Sequence, residues 1–287
     1  MTPQDGVLSR ALYPGDSSSH VSGEAWRQHV KELGGASFLA QVCRQAADVI
    51  MAIYTRGPAT EIEKPNGSPL TEADLASAAI IERELAKYSG LPVVCEESTT
   101  GEVPQGEMFW LVDPLDGTKE FINRNGEFTI NIALVAHSEP VVGIIGAPAT
   151  GDLFFAVRGE GAHWIRGGKQ IQIRNARTTS QLVAAVSRSH AASSLIGYLN
   201  ACGIEDTIEK GSALKFCELA RGMCDTYVRI GRTMEWDTAA GQCLLEEANC
   251  KVLVAANGTR LTYGKPHFAN PSFIASRSNI DLPWNFD

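Results

Sequence analysis

From Ala36 onward apolar side chains recur at helical spacing: Phe38, Leu39, Val42, Cys43, Ala46, Val49, Ile50 and Ile53 fall on one face. The pattern predicts a long amphipathic helix that Gly57-Pro58 stops, since proline disfavours helical backbone in the residue before it. Residues 60–70 read as a hairpin or loop. A second helix is expected from about Glu72 to Lys87, with Leu75, Ala79 and Leu85 among its apolar positions. Upstream, residues 1–34 are rich in Ser, Gly and Pro and have little periodicity, so they read as a partly disordered extension.

Short apolar runs then take over. Strands are expected at 92–95, 109–112, 128–136, 141–147 and 153–157, and Gly159-Glu160-Gly161 and Gly167-Gly168 punctuate further hairpins, which suggests antiparallel sheet. The remainder alternates: strand 183–187, helices 193–201 and 212–221, strand 224–229, helix 238–248, strand 251–254. A layered chain with two subdomains joined near residue 178 fits this pattern. It would comprise an extension over 1–35, an α+β subdomain over 36–177 and an α/β subdomain over 178–287 that completes the site.

Composition narrows the function. The 287 residues carry 25 Lys plus Arg against 33 Asp plus Glu, a net charge of −8, which argues against non-specific nucleic-acid binding. A small phosphorylated substrate stays open, because a bound cation can reverse the local field. Seven cysteines without any CxxC pair read as buried thiols in a reducing compartment. There is no run of 18 apolar residues and no basic-then-apolar leader, so the expectation is a cytoplasmic protein, or one peripheral to the inner membrane, with no transmembrane segment.

The chemistry concentrates in Trp110-Leu111-Val112-Asp113-Pro114-Leu115-Asp116-Gly117-Thr118. An apolar strand delivers two aspartates three positions apart, Pro114 bends the chain between them, and Gly117 allows a tight turn whose N–H groups, with those of Thr118, suit a phosphate oxygen. Glu96 and Glu97 close the 92–95 strand as adjacent carboxylates, which repel unless a cation or solvent screens them. Asp237 follows Trp236 and reads equally as a helix N-cap; Asp74, three after Thr71, fits a capping box.

Spacing excludes other phosphate chemistries. The two aspartates are not two apart as phosphoaspartate enzymes need, and Gly168-Lys169 lacks the Walker flanks, with His163 and Gln170 in their place. Cys95 has Gly101 where a cysteine phosphatase needs Arg. An all-oxygen carboxylate set suits Mg²⁺, and two or more such ions can activate water and neutralise a leaving oxygen. The residues therefore point to metal-dependent phosphomonoester hydrolysis by direct water attack.

Glu96-Glu97, Asp113-Pro114-Leu115-Asp116-Gly117-Thr118 and Trp236-Asp237-Thr238-Ala239-Ala240-Gly241 resemble, in order and separation, the three signatures of the lithium-sensitive, inositol-monophosphatase-like phosphatases. The resemblance implies an α/β (α+β layered) fold, an α-β-α-β-α sandwich, and Mg²⁺-dependent phosphate-ester hydrolysis with two or three ions. Carried over by position, Glu96, Asp113 and the Leu115 carbonyl would hold one ion, and Asp113, Asp116 and Asp237 a second. A third, weaker ion would lie near Glu96 and Asp74. Thr118 and Asp74 would orient and deprotonate the water, and Glu97 would stand behind the ligands.

Within the superfamily the chain is most similar to the bacterial 3'(2'),5'-bisphosphate nucleotidases of sulfur assimilation, through Asp116–Ile122, Arg124–Thr129, Ser187-Arg188-Ser189-His190 and Gly211–Cys217. That likeness implies removal of the 3'-phosphate from adenosine 3',5'-bisphosphate, with its sulfated form a further candidate. Gly117, Thr118, Ser189, His190, Ser212, Lys215 and Arg229 would contact the nucleotide. Inositol phosphatases carry an acid near Arg229 to accept polyol hydroxyls, whereas a guanidinium suits a second phosphate. An inositol or sugar phosphatase and a non-catalytic metal- or nucleotide-binding regulator are the alternatives. A monomer or weak homodimer is expected. Glu235, before Trp236, adds an acid that either tunes substrate choice or is simply solvated.

Overall fold

The computed structural model describes residues 23–64, 67–188 and 193–283. Its first part runs α1 (Gly23–Glu32), α2 (Ala36–Arg56), β1 (Glu61–Glu63), β2 (Pro69–Thr71), α3 (Glu72–Ser89), β3 (Val93–Cys95), β4 (Met108–Asp116) and α4 (Thr118–Ile122). A run of strands follows: β5 (Thr129–Ala136), β6 (Glu139–Ala147), β7 (Asp152–Val157), β8 (Gly161–Arg166) and β9 (Lys169–Ile173). Then come β10 (Val183–Ser187), α5 (Ser193–Ala201), β11 (Asp206–Lys210), α6 (Leu214–Ala220), β12 (Thr226–Arg229) and β13 (Thr233–Met234). The last elements are α7 (Ala239–Glu247), β14 (Cys250–Val254), β15 (Ala269–Asn270) and β16 (Phe273–Arg277).

Among these residues two sheets carry the architecture. One has seven strands in the order β3-β4-β5-β6-β7-β8-β9, antiparallel except for the parallel β3–β4 pair. The other has five, in the order β11-β10-β12-β16-β14, with β10 parallel to both β11 and β12. The strand periodicity of two sorts side chains to opposite faces. Trp110, Val112, Ile130, Ile132 and Leu134 join the core shared with α1, α2 and α3, while Phe109, Leu111, Ala133 and Val135 join the core shared with α6 and α7. That second core continues into Tyr227, Val252 and Phe273 of the smaller sheet, whose far face packs on Leu195 and Leu199 of α5. The layers are thus helix, sheet, helix, sheet, helix, the expected α-β-α-β-α sandwich.

The described end of the N-terminal extension is helical and packed. Residues 23–32 form α1, and Trp26 and Val30, one helical turn apart, are buried in the core with α2; residues 1–22 lie outside the described residues. By length and composition α2 is the one helix among the described residues able to cross a bilayer. Here its apolar face, with Leu39, Val42, Cys43, Ala46 and Ile50, is buried as a core helix. The central strand β16 and the exposed edge strand β11 had no counterpart in the sequence pattern, and α6 starts at Leu214 because Ser212 adopts φ 42°. Six of the seven cysteines are buried thiols.

One close approach fixes the central layer. A Cβ on Gly143 of β6 would stand 2.6 Å from the Ala240 carbonyl oxygen and 2.9 Å from the Ala240 Cα of α7. The obstacle is backbone, which cannot rotate away. Gly143→Ala should therefore destabilise the protein by about 1–3 kcal/mol, the usual range for overpacking. A fall in Tm by several degrees in thermal unfolding is the expected result; an unchanged Tm would show that α7 is free to shift.

Candidate active site

In a regular strand Asp113 and Asp116, three positions apart, would point to opposite faces. The β4–β5 register shifts between them: Asp113 pairs with Asn131 and Asp116 with Thr129, so β4 carries one extra residue. This bulge turns both carboxylates to one side. Ser77 on α3 donates to the Pro114 carbonyl at 2.7 Å and Leu115 N–H donates to Asp113 Oδ1 at 3.1 Å, which hold the bulge in place.

Glu96 arrives through the parallel β3–β4 pair, which brings the carboxyl ends of both strands together; Glu96 N–H donates to the Val112 carbonyl at 3.0 Å. Asp237 comes from the opposite direction, in a short 3₁₀ turn over Glu235–Asp237 ahead of α7, where its Oδ2 accepts Met234 N–H at 2.8 Å. One carboxylate oxygen from each of Glu96, Asp113 and Asp237 lies within 4.8 Å of the others. Asp116 lines the same cleft, and its Oδ2 accepts from Thr129 Oγ1 at 3.4 Å and Asn131 Nδ2 at 3.3 Å.

Burial, followed by the charges of Glu96, Asp116 and Asp237, pushes the Asp113 carboxyl well above its ordinary value. Asp237 is raised in the same way, by burial first and then by Asp116 and Glu96. Burial lifts Asp116 to about 6 against the pull of the Lys215 ammonium. Mutually repelling, desolvated carboxylates with all-oxygen donors fit a hard divalent cation, whose charge would offset both penalties.

Asp74 uses both of its carboxylate oxygens. Its Oδ2 accepts Thr71 N–H at 2.8 Å and Thr71 Oγ1 at 2.6 Å, closing the capping box of α3, while Oδ1 accepts Thr118 Oγ1 at 2.9 Å. Burial raises the Asp74 carboxyl, and the bonds from Thr71 and Thr118 oppose the shift. Thr118 opens α4 directly after Gly117, whose φ of 90° suits glycine; a Cβ there would meet Ser212 Cβ at 3.1 Å.

These groups face a cleft of about 350 Å³ between the ends of the two sheets, lined also by Leu115, Ser187, Arg188, Ser212, Lys215 and Arg229. Arg229 at the end of β12 keeps a buried Nε with no hydrogen-bond partner among the described residues. Lys215 is differently placed from a free phosphate ligand: it is buried, and Nζ donates to the Ser212 carbonyl at 2.6 Å and the Lys210 carbonyl at 3.3 Å. Burial lowers the Lys215 ammonium to about 8, with Asp116 opposing. Ser189 and His190 lie outside the described residues.

Three findings go beyond the sequence reading. Lys64 bonds Glu96 Oε1 at 2.8 Å and Glu97 Oε1 at 2.7 Å, so Glu97 is tied to an ammonium beside the cluster while burial pushes its carboxyl up to about 7. Glu235 neither lines the cleft nor meets solvent: fully buried, it accepts Gly264 N–H at 2.7 Å and Lys265 N–H at 2.9 Å and pins that loop. Asn131 and Thr129 support Asp116 from β5, where the alternation with apolar neighbours was the available signal.

Comparison with known proteins bears on this geometry. A profile described as the inositol monophosphatase family matches residues 35–281. The 3'(2'),5'-bisphosphate nucleotidase CysQ of Escherichia coli K12 is 42% identical over 248 residues, spanning 83% of this chain and 98% of that protein. The crystal structure of CysQ from Bacteroides thetaiotaomicron superposes with a TM-score of 0.74 at 34% identity, covering 84% of this chain and 97% of that one. Thermotoga maritima IMPase shares the fold, with a TM-score of 0.70 at 24% identity over 84% of this chain and 91% of its own. This chain belongs to the inositol monophosphatase family.

Proposed function

We propose that the chain is a Mg²⁺-dependent 3'(2'),5'-bisphosphate nucleotidase that hydrolyses the 3'-phosphate of adenosine 3',5'-bisphosphate to give AMP and phosphate. The observation that carries the reading is the convergence of Glu96, Asp113 and Asp237 within 4.8 Å in a cleft that Arg229 also lines, its buried Nε without a hydrogen-bond partner among the described residues. A cation-binding floor suits the phosphate under attack, and a guanidinium suits a second phosphate better than a neutral polyol. The Escherichia coli K12 relative carries this activity in its name, at 42% identity over most of this chain.

Bound Mg²⁺ would supply charge neutralisation of the phosphate oxygens and activation of the attacking water. Glu96, Asp113, Asp116 and Asp237, with the Leu115 carbonyl, are the groups that would hold it. Thr118 directs its proton to Asp74 Oδ1, so its oxygen keeps lone pairs for a proton of the water. As the water oxygen bonds to phosphorus, the bond from phosphorus to the 3'-oxygen breaks. The water proton passes to Thr118 Oγ1, the Thr118 proton moves to Asp74, and the departing 3'-oxygen takes a proton from solvent to give the free 3'-hydroxyl of AMP. Thr71 occupies Oδ2, which leaves Oδ1 as the acceptor, and the raised Asp74 carboxyl brings its basicity nearer working pH. The Arg229 side chain would bind the 5'-phosphate and leave the 3'-phosphate over the carboxylates.

Phosphate release from adenosine 3',5'-bisphosphate, inositol 1-phosphate and fructose 1,6-bisphosphate tests the reading directly. The bisphosphate should be preferred with Mg²⁺, with no release in EDTA; preference for inositol 1-phosphate would overturn the substrate assignment. Asp113→Asn should lower kcat by about 100-fold or more. Its effect on stability has a definite sign. The folded carboxyl titrates above the unfolded value of about 4, so its unfavourable contribution grows as pH rises from there through the folded value. In EDTA at pH 7 the variant should melt no lower than wild type, and a lower Tm would assign Asp113 a structural role. Arg229→Glu should raise KM for the bisphosphate about tenfold or more, the scale of a lost charged hydrogen bond; an unchanged KM would remove Arg229 from the site.

A further inference from the structure

The loop between α4 and β5 carries an acid that the steps above leave unused. Glu127 accepts Arg188 Nε at 2.8 Å on Oε2 and Arg188 Nη2 at 3.0 Å on Oε1, a two-pronged guanidinium–carboxylate pair. The same Oε2 accepts Gly211 N–H at 2.8 Å, and Lys210 Nζ stands 3.4 Å from Oε1. The backbone takes part as well: the Glu127 carbonyl accepts Ser212 Oγ at 2.9 Å. Burial works against the Glu127 charge, yet Arg188, Gly211 and Lys210 hold its carboxyl below the ordinary value.

These contacts join two parts of the fold. Glu127 lies two residues before β5, the strand whose Thr129 and Asn131 support Asp116; Arg188 and Gly211 follow directly on β10 and β11 of the other sheet. The turn at 211–213 is pressed onto this loop, since a Cβ on Gly211 would stand 2.7 Å from the Glu127 carbonyl oxygen. Lys215 in turn donates to the Ser212 carbonyl, so the turn held by Glu127 also holds that ammonium beside the cleft. Arg188 lines the cleft with its guanidinium already engaged by Glu127 and, through Nη1, by Glu209 Oε2 at 3.2 Å. It serves as wall more than as a free anion receptor.

We propose that Glu127 is a positioning residue for substrate binding, which locks Arg188 and the Gly211–Ser212 turn onto the half of the fold carrying Asp113 and Asp116. The proposal rests on the nucleotidase reading for the identity of what the wall faces, and on the geometry above for the role itself. A residue acting in this way affects how tightly the substrate is seated, leaving the water-activating groups in place.

Steady-state kinetics of Glu127→Gln, Arg188→Gln and the double variant test it, read on whichever ester of the panel above the wild type turns over fastest. Glu127→Gln should raise KM about tenfold with kcat and the Mg²⁺ concentration for half-maximal rate within about twofold. Arg188→Gln should act in the same direction, and the double variant should be no worse than the more affected single, because both remove one shared contact. Glu127→Asp, which keeps the charge, should recover part of the loss and serves as the test should Glu127→Gln not fold. An unchanged KM, a loss confined to kcat, or additive effects in the double variant would overturn the proposal. Wild-type preference for inositol 1-phosphate would instead overturn the nucleotidase reading, leaving Glu127 to be judged by the KM and kcat split on that ester. A wild type that hydrolyses none of the panel overturns both.

Discussion

Like charges held close together in a desolvated cleft are the constraint around which the rest of this structure is arranged. Glu96, Asp113 and Asp237 are drawn within 4.8 Å of one another with Asp116 alongside, and burial alone would favour the neutral forms of the three aspartates. What keeps them there is a donor on one side of each aspartate: Leu115 N–H for Asp113, Asn131 for Asp116, Met234 N–H for Asp237. Each bond helps fix a carboxylate's orientation towards the cleft. The site is thus built at the expense of local stability and stabilised by the layers around it.

Those layers explain why the acids converge from such distant parts of the chain. The bulge in β4 brings Asp113 and Asp116 to one side, the parallel β3–β4 pair places Glu96 next to them, and the turn into α7 delivers Asp237 from the central helical layer. The position of α7 is set by backbone contact with Gly143 and by the core shared with both sheets. Lys215, on the neighbouring helix, contributes a buried positive charge that favours ionised Asp116. Packing and electrostatics are therefore one problem here: shifting α7 by an ångström would change the spacing of charges.

Much of this was legible in the residues. The long apolar periodicity of α2, the runs that became β5 to β7, and the Asp113–Thr118 stretch each carry a local signal strong enough to survive folding. The elements that escaped notice lack one. Trp26 and Val30 of α1 give only two large apolar positions in a polar segment. Strand β11 reads DTIEK because it is an exposed edge, and β16 is five residues buried by β12 and β14 on either side and by the helices over both faces. Site residues such as Lys64, Asn131 and Glu127 gain their meaning from partners tens of residues away, which spacing along the chain does not display.

Asp74 has a double attachment whose effect reaches beyond the reacting groups. One of its oxygens closes the first turn of α3 and the other receives the Thr118 hydroxyl. Helix ends are where fraying begins, and the capping interactions of this turn are what oppose it. A molecule whose α3 start has opened would separate Asp74 from Thr118 while both sheets were still intact, so on the proposed mechanism inactivation on warming would run ahead of the collapse of the core.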